Sequence, residues 1–462
     1  MADVLILAAG LGTRMKSRRA KVLHELAGSP LIGHVVRASL GLNPDALLTV
    51  VGHQATEVEN AVRGEVDRAV SRGGATAPLL LFPRQVEQRG TGHAVMAAAS
   101  QLIGRPGPLV VVVGDAPLIK TGTLAGLVAS HGRQQNDATI LTVEMSDPTG
   151  YGRILRDSND RFLRSVEQRD ASPEELTVRE VNVSMYCFEI VPLLAQLESL
   201  TTDNAQGEYY LTDVPAAMAS NGKRVGLLRH NDAREVRGVN TRIELAQLER
   251  QLREHKLEEL MLSGVTIVDP ATTYIQPDVE IGRDTIIHPQ VMIEGATRIG
   301  SGCTIHSWSR LKDSVLGDEV VIKNSCIIED STVRKGAAVG PFARLRMNAD
   351  IGEGAVIGNF VEVKKSRIGR GTKASHLTYL GDATLGDDVN IGAGTVTCNF
   401  DGVRKHETVI EDQVKIGSDT MLVAPVKVGR GSMTGAGSVV TKDVPPDSLV
   451  AGVPAVVKRK LR

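Results

Sequence analysis

Aromatic residues make up only 3% of this 462-residue chain, with a single tryptophan. That scarcity excludes a core built on large rings and favours one filled by Ile, Val, Leu and Ala. Cysteine is as sparse. Cys187, Cys303, Cys326 and Cys398 have no CxxC spacing, which leaves reduced thiols of a cytosolic protein as the expectation. The longest apolar runs, near Val4–Ala9 and Leu109–Val113, are far too short to cross a bilayer. No basic segment precedes the first run, and it ends in a Gly-rich loop, so a secretory signal and membrane insertion are not expected. Excess charge is missing too: 53 basic against 54 acidic residues give a net charge of -1, which removes the electrostatic argument for a nucleic-acid partner. The end, Lys458-Arg459-Lys460-Leu461-Arg462, is locally basic and reads as a solvated terminus.

What the chain has is a recurring aliphatic–glycine pair. Ile281-Gly282, Ile299-Gly300, Val339-Gly340, Ile351-Gly352, Ile357-Gly358, Ile368-Gly369, Leu380-Gly381, Leu385-Gly386, Ile391-Gly392, Ile416-Gly417 and Val428-Gly429 follow one another in steps of about six. Six fits neither the 3.6-residue period of a helix nor the two-residue period of a lone strand. It fits a parallel β-solenoid with three sides of six residues per coil, the aliphatic side chain pointing inward. The glycine is expected to supply the φ of the corner.

Upstream, Val4–Ala9, Leu47–Val51 and Leu109–Val113 read as buried parallel strands, and Ile32–Leu40 and Gly92–Leu102 as helices. This alternation predicts a Rossmann-like α/β sheet with ligands at the carboxyl ends of its strands. Residues 241–262 form a charged amphipathic helix with Leu245, Leu248 and Leu252 on one stripe and Gly264 where it should end. The expected layout is an α/β domain over 1–235, a linker helix over 236–264 and a β-helix over 265–462.

The loop Leu7-Ala8-Ala9-Gly10-Leu11-Gly12-Thr13-Arg14-Met15 leaves the first strand directly. It is neither a Walker A loop nor GxGxxG. Gly10 and Gly12 nevertheless let backbone N–H groups approach an anion, and Arg14 and Lys21 add a planar fork and a point charge for phosphate oxygens. Asp115 ends the strand Leu109–Val113 beside that loop, where a carboxylate is placed to hold Mg²⁺. Together LxxGxGTRM and the Lys-Val-Leu after it resemble the signature of sugar-1-phosphate nucleotidylyltransferases. The resemblance implies a nucleotide and sugar site made of Leu7, Ala8, Ala9, Gly10, Lys21, Gln85, Gly90, Thr91, Gly114, Asp115, Gly152, Glu167, Asn182 and Asn240, with Asp115 and Asn240 as metal ligands and Arg14 and Lys21 as catalytic cations. Alone, Asn240 would also serve as the cap of the helix that follows it.

In the repeat region the rhythm breaks at Gly340–Arg346, Asn359–Lys365, Ser375–Asp382 and Thr397–Gly402, and these stretches are rich in ionisable groups. They closely resemble the acetyltransferase half of the bifunctional N-acetylglucosamine-1-phosphate uridylyltransferase / glucosamine-1-phosphate N-acetyltransferase family, and the match spans essentially the whole chain. The resemblance implies a left-handed parallel β-helix, CoA-dependent acyl transfer, UTP and acetyl-CoA as substrates, a homotrimer with acetyl sites shared between subunits, and a place in cell-envelope polysaccharide synthesis. It makes His376 the base that accepts a proton from the sugar ammonium. Glu362 would orient or charge the imidazole, and Asn399 or backbone N–H groups would stabilise the oxyanion. Arg346 and Lys364 would hold the phosphate, and Tyr379 and Asn390 the sugar. Ala393, Ser418 and Ala436 would line the acetyl-CoA groove, and Phe400 would belong to the same acetyl site. The alternative is a monofunctional nucleotidylyltransferase whose β-helix only drives oligomerisation.

Several positions depart from the family pattern. Ala20 replaces a Pro before Lys21, Val183-Ser184 a Thr-Gly type pair after Asn182, Met347-Asn348 a Pro-Gly, and Phe400 a Tyr. Ala451-Gly452-Val453-Pro454 lacks the Arg found before Val-Pro in some members. The substitute contacts expected for acetyl-CoA phosphates are Lys442, Lys458 or Arg459.

Overall fold

A computed structural model of the chain describes residues 2–71, 73 and 76–460; Leu461 and Arg462 of the basic end lie outside them. The chain forms two compact units, residues 1–248 and 249–462, whose boundary falls inside the helix Arg242–Leu262.

The first unit is built on one nine-stranded sheet. Its strands are β1 (Asp3–Leu7), β2 (Ala46–Val50), β3 (Leu79–Leu81), β4 (Pro108–Val113), β5 (Ala138–Glu144), β6 (Gly152–Arg156), β7 (Phe162–Val166), β8 (Glu180–Glu189) and β9 (Val225–His230). The main order is β9-β5-β8-β4-β1-β2-β3, with β6 paired to β8 and β7 to β6. Strands β4, β1, β2 and β3 run parallel, and β8 is antiparallel to both its neighbours in that order. The apolar runs are continuous because successive residues feed opposite cores: Ile6 joins Val36, Val62 and Val112 on one face, and Leu5 joins Leu48, Val111 and Phe188 on the other. Leu7 lies beside Val113, so the loops leaving β1 and β4 emerge side by side. The Gly114 N–H donates to the Leu7 carbonyl at 2.9 Å, locking the two loops together.

The second unit stacks its strands into three sheets of 12, 10 and 9 strands, parallel but for the last. This agrees with the left-handed β-helix of hexapeptide repeats. The aliphatic positions pile up as expected: Ile287, Ile305, Ile322, Val339 and Ile357 follow one another in register, all but fully buried. The coil opens at one place. Ile287 pairs with Ile305 18 residues on and Ile357 with Ala374 17 on, but Ile391 pairs with Ile416, 25 on. The extra residues form a loop around Phe400–Lys405, closed by an antiparallel bridge between those two. At the other end, Leu257 and Leu260 of the 242–262 helix join the core cluster of the first coils, and the Arg253 guanidinium lies 4.2 Å above the Tyr274 ring, covering the open end of the stack. The terminal strand Val456–Lys460 folds back antiparallel on Ser448–Ala451.

One expectation fails. Of the glycines in the eleven pairs, only Gly340 has a positive φ. The left-handed corners fall on other residues, among them Asp284, Gln290, Trp308, Phe342 and Asp388. The pair glycines are required for a different reason: a Cβ on Gly352 would lie 2.6 Å from the Gly369 carbonyl carbon, and one on Gly417 2.6 Å from the Thr434 carbonyl oxygen. Coil spacing, set by the strand-to-strand hydrogen bonds, leaves no room for a side chain there.

Candidate active sites

In the first unit the two loops enclose Asp115. Its backbone carbonyl accepts from Val239 N–H at 2.9 Å, which fixes the 238–240 segment beside it. Lys21 reaches both proposed metal ligands, donating from Nζ to Asp115 Oδ2 and, at 3.1 Å, to Asn240 Oδ1. Arg14 Nη2 donates to the same Asn240 oxygen at 2.8 Å. Four sequence-predicted residues therefore share one hydrogen-bonded cluster. Asn240 does not cap the helix. Thr241 does: its Oγ1 accepts from Glu244 N–H at 3.2 Å, while Glu244 Oε2 accepts from the N–H groups of Asn240 and Thr241 at 2.7 and 2.9 Å. This reciprocal box satisfies the helix start and leaves the Asn240 carboxamide free for the cations.

Two cavities meet at Asp115. One, of about 440 Å³, is lined by Leu7, Ala8, Ala9, Gly10, Gly12, Lys21, Gln85, Gly90 and Thr91. The other, of about 550 Å³, is lined by Arg14, Tyr151, Gly152, Glu167, Asn182, Ser184 and Asn240. Gly12 is left-handed at φ 62°, and a Cβ there would press 2.5 Å from the Lys21 Cβ; a Cβ on Gly10 would meet only open space. So Gly12 serves the fold and Gly10 leaves clearance for a ligand. Buried Gln85 donates from Nε2 to the Gly90 carbonyl at 3.0 Å and meets His93 Nδ1 at 3.1 Å, shaping the loop that opens the helix Thr91–Leu102. The same loop is gripped by the 204–213 segment: Tyr209 accepts Gly92 N–H at 2.8 Å, and Thr91 Oγ1 accepts Leu211 N–H at 3.1 Å. Glu167 accepts a hydrogen bond from Thr212 at 3.2 Å, yet burial raises its pKa above the ordinary carboxylate value. Asn182 is buried and already engaged. It donates to Ser165 at 3.3 Å and accepts Ser184 N–H at 2.9 Å, which stabilises Ser184 at φ 57°. The Ala20 departure has a consequence, because its N–H donates to Gln54 at 2.6 Å, a bond that proline lacks.

In the second unit the sequence-predicted acetyl residues fall into two groups. The first lies around the strands Arg344–Arg346, Glu362–Lys364 and Tyr379–Gly381, which pair in register so that Arg346, Lys364 and Gly381 stack. Arg346 Nε donates to Glu362 Oε1 at 2.6 Å. Lys364, buried, donates to Asp382 Oδ2 at 3.1 Å, and Asn399 Nδ2 donates to the same oxygen at 2.6 Å. Asn399 Nδ2 also lies 3.5 Å from the Tyr379 hydroxyl. The second group sits at the end of the strand Lys373–His376, where exposed His376 holds Asn359, one coil below, through Nδ1 and Oδ1 at 2.6 Å. An amide oxygen only accepts, so this contact places the imidazole proton on Nδ1 and leaves the Nε2 lone pair outward. Ala393, Ser418 and Ala436 each follow by two residues the stacked positions Ile391, Ile416 and Thr434, and Asn390 lies on that same sheet.

The expected pairing of Glu362 with His376 is not seen within the chain: Glu362 holds Arg346, and Asn359 holds the imidazole. The contacts of Asn359, Asp382 and the Thr241–Glu244 box were not anticipated from the sequence. Phe400 is exposed on the inserted loop, anchored through its bridge to Lys405. Met347 and Asn348 both have positive φ, a geometry closed to proline at 347. Lys458 and Arg459 are exposed on the terminal strand.

The chain matches the MobA-like NTP transferase domain over residues 4–177 and bacterial transferase hexapeptide repeats over 278–313 and 407–442. It is 48% identical to the bifunctional protein GlmU of Pelobacter propionicus over 99% of this chain and 96% of that protein. It is 47% identical to that of Koribacter versatilis (97% and 94%) and 46% identical to that of Geobacter metallireducens (98% and 97%). The likeness runs through the hexapeptide half as fully as through the nucleotide half. The chain belongs to the bifunctional GlmU family: it is an enzyme with a nucleotidyltransferase half and an acetyltransferase half.

Proposed function

We propose that the two halves make UDP-N-acetylglucosamine in sequence. The second unit N-acetylates glucosamine-1-phosphate from acetyl-CoA, and the first transfers uridylyl from UTP to the resulting N-acetylglucosamine-1-phosphate. The uridylyl reading is carried by the position of Asp115, where two cavities meet beside two cations. The nucleotide takes the cavity of the Gly10 loop, Gln85 and Gly90; the sugar takes the cavity of Gly152, Glu167 and Asn182. The attacking sugar-phosphate oxygen is ionised at neutral pH, so no general base is needed. It forms a bond to the α-phosphorus as the bond to pyrophosphate breaks. Arg14 and Lys21 lower the repulsion between the two polyanions and offset charge building on the departing pyrophosphate.

The Asp115 carboxylate and the Asn240 amide oxygen converge on one ammonium, so both face a point where positive charge is stabilised. Such oxygen donors suit Mg²⁺, which binds through few protein ligands and keeps water and phosphate for the rest. When bound, Mg²⁺ supplies charge neutralisation between the phosphates.

In acetyl transfer, the outward Nε2 of His376 takes a proton from the sugar ammonium. The neutral amine attacks the thioester carbonyl, its nitrogen sheds a second proton to solvent as the C–S bond breaks, and the imidazolium returns its own proton to the CoA thiolate. That no hydrogen bond or ion pair joins His376 to the Arg346–Lys364 group among the described residues supports acetyl sites shared between copies of a homotrimer. The product suits a supply route for cell-envelope polysaccharide in a bacterial cytoplasm.

The test is incubation with glucosamine-1-phosphate, acetyl-CoA, UTP and Mg²⁺, which should yield UDP-N-acetylglucosamine. His376→Ala should abolish acetylation and still convert supplied N-acetylglucosamine-1-phosphate. Loss of both steps would contradict two independent sites.

A further inference from the structure

Among the groups on the Glu362–Lys364 face, Asp382 has no role in the reading above, yet more of that site converges on it than on any other acid. Its side chain is 10% exposed. Oδ2 accepts both Lys364 and Asn399, at 3.1 and 2.6 Å, and Oδ1 faces Lys365 at 3.6 Å. The backbone aims it there at a cost, because Asp382 sits in the left-handed region at φ 49°. Its N–H donates to the Lys364 carbonyl at 3.1 Å, and its carbonyl accepts Thr408 N–H at 3.1 Å, which ties it to the coil before it and to the strand that follows the inserted segment. That segment returns Lys405 beside Lys364.

We propose that Asp382 is a positioning residue of acetyl transfer: its carboxylate keeps Lys364 protonated and aimed, with Lys365 and Lys405 alongside, so that a phosphate monoester dianion can be bound, and it presets the Asn399 amide.

The charge balance supports this. Three ammonium groups against one carboxylate leave a surplus of two positive charges, the complement of a dianion. Arg346 is matched by Glu362 and changes nothing in that balance, and Tyr379 is the remaining titratable neighbour. Without Asp382 a buried ammonium would stand beside Lys405 uncompensated, and a buried charge left unpaired is strongly disfavoured. The two lysines lie against each other: that contact holds Lys405 below its ordinary pKa, and Lys364, beside Lys405 and Asp382, sits above its own. Asp382 itself stays ionised: burial raises its pKa, but Lys364, Asn399 and Lys365 bring it below the ordinary value.

The inference rests on the reading that Lys364 binds the substrate phosphate, and the experiment separates the two. The KM for glucosamine-1-phosphate is measured in acetyl transfer from pH 6 to 9 for the full-length protein and for Asp382→Asn, Asp382→Glu and Lys364→Ala. Asp382→Asn should raise KM on the order of tenfold at pH 7, the scale of one hydrogen bond to a charged group. Because the lysines then shed a proton sooner, the rise of KM with pH should begin at a lower pH than in the unmodified protein. Asp382→Glu, which restores the charge, should return that limb toward its original position. Uridylyl transfer to supplied N-acetylglucosamine-1-phosphate should be unchanged in all variants, and thermal unfolding of the β-helix reports on folding. If Lys364→Ala raises KM while the limb of Asp382→Asn stays in place, the positioning role is overturned. A uniform loss of rate in Asp382→Asn with no displaced limb and no recovery in Asp382→Glu overturns it too, since that pattern belongs to a merely structural acid. If Lys364→Ala leaves KM unaltered, the phosphate reading itself falls.

Discussion

At the scale of single residues, the acetyl site depends on a neutral amide. The His376 contact with Asn359 Oδ1 at 2.6 Å fixes one tautomer without adding charge and leaves Nε2 as the ring's free acceptor. A carboxylate in the same place would favour imidazolium. Asn359→Asp should therefore move the acidic limb of acetyl kcat/KM to higher pH. Asn359→Ala should lower the rate roughly tenfold without moving that limb, because positioning is lost and charge is unchanged. A pH–rate profile of both variants checks this; identical limbs with identical rates would remove Asn359 from the site. The sequence carried a faint trace of this residue. Asn359 precedes His376 by 17 residues, Lys364 precedes Asp382 by 18 and Asp382 precedes Asn399 by 17, each one coil of the stack. Read as vertical neighbours, polar residues one coil apart point to contacts that no linear motif displays. By contrast, Arg14, Lys21 and Asp115 were legible because loops at the carboxyl ends of adjacent parallel strands must lie together, whereas Asn240 was named only by the family resemblance.

At the scale of elements, the hexapeptide pair identified the β-helix but concealed the job of its glycine. The period is a property of the whole coil and survives in one dimension. The reason for glycine lies between coils, where the neighbour is 17 or 18 residues away. Gly358 shows this well: it has no positive φ, and a Cβ there would run into the Ser375 carbonyl of the next coil. Gly358→Ala should then force the two coils apart at the level of Asn359 and His376, which pair one residue on. The expected loss is about 2–4 kcal/mol, the range of an overpacked core site with a broken strand ladder. Thermal unfolding with a probe on the β-helix would measure it. Retention of the native melting point would mean that coil spacing is not what demands glycine. The capping box at the start of the 242–262 helix was hidden for a related reason. Asn240 and Thr241 are both plausible caps on paper, and only the Thr241 Oγ1 contact with Glu244 N–H decides between them.

At the scale of the whole molecule, the chain displays a row of exposed apolar side chains beside the His376 imidazole. Trp308, Phe342, Phe360 and Leu377 occupy left-handed corners of successive or near-successive coils and are 63%, 52%, 56% and 62% exposed. The rings of Phe342 and Phe360 stack with centroids 5.2 Å apart. Leu377 adjoins His376 and Phe360 adjoins Asn359, so a second copy that buried this ridge would also enclose the imidazole. The Arg346–Lys364 group, which no hydrogen bond or ion pair joins to His376 among the described residues, would then reach it from a neighbour. The first unit needs no such help, since both cavities meeting at Asp115 are lined by residues of one chain. A charge placed in the ridge, Phe342→Glu, should therefore dissociate the assembly and remove acetyl transfer while sparing most uridylyl transfer. Sedimentation would establish the oligomeric state and separate assays the two activities. A verified monomer that acetylates glucosamine-1-phosphate as fast as the assembly would show that each chain completes its acetyl site alone, and the shared-site reading would be lost.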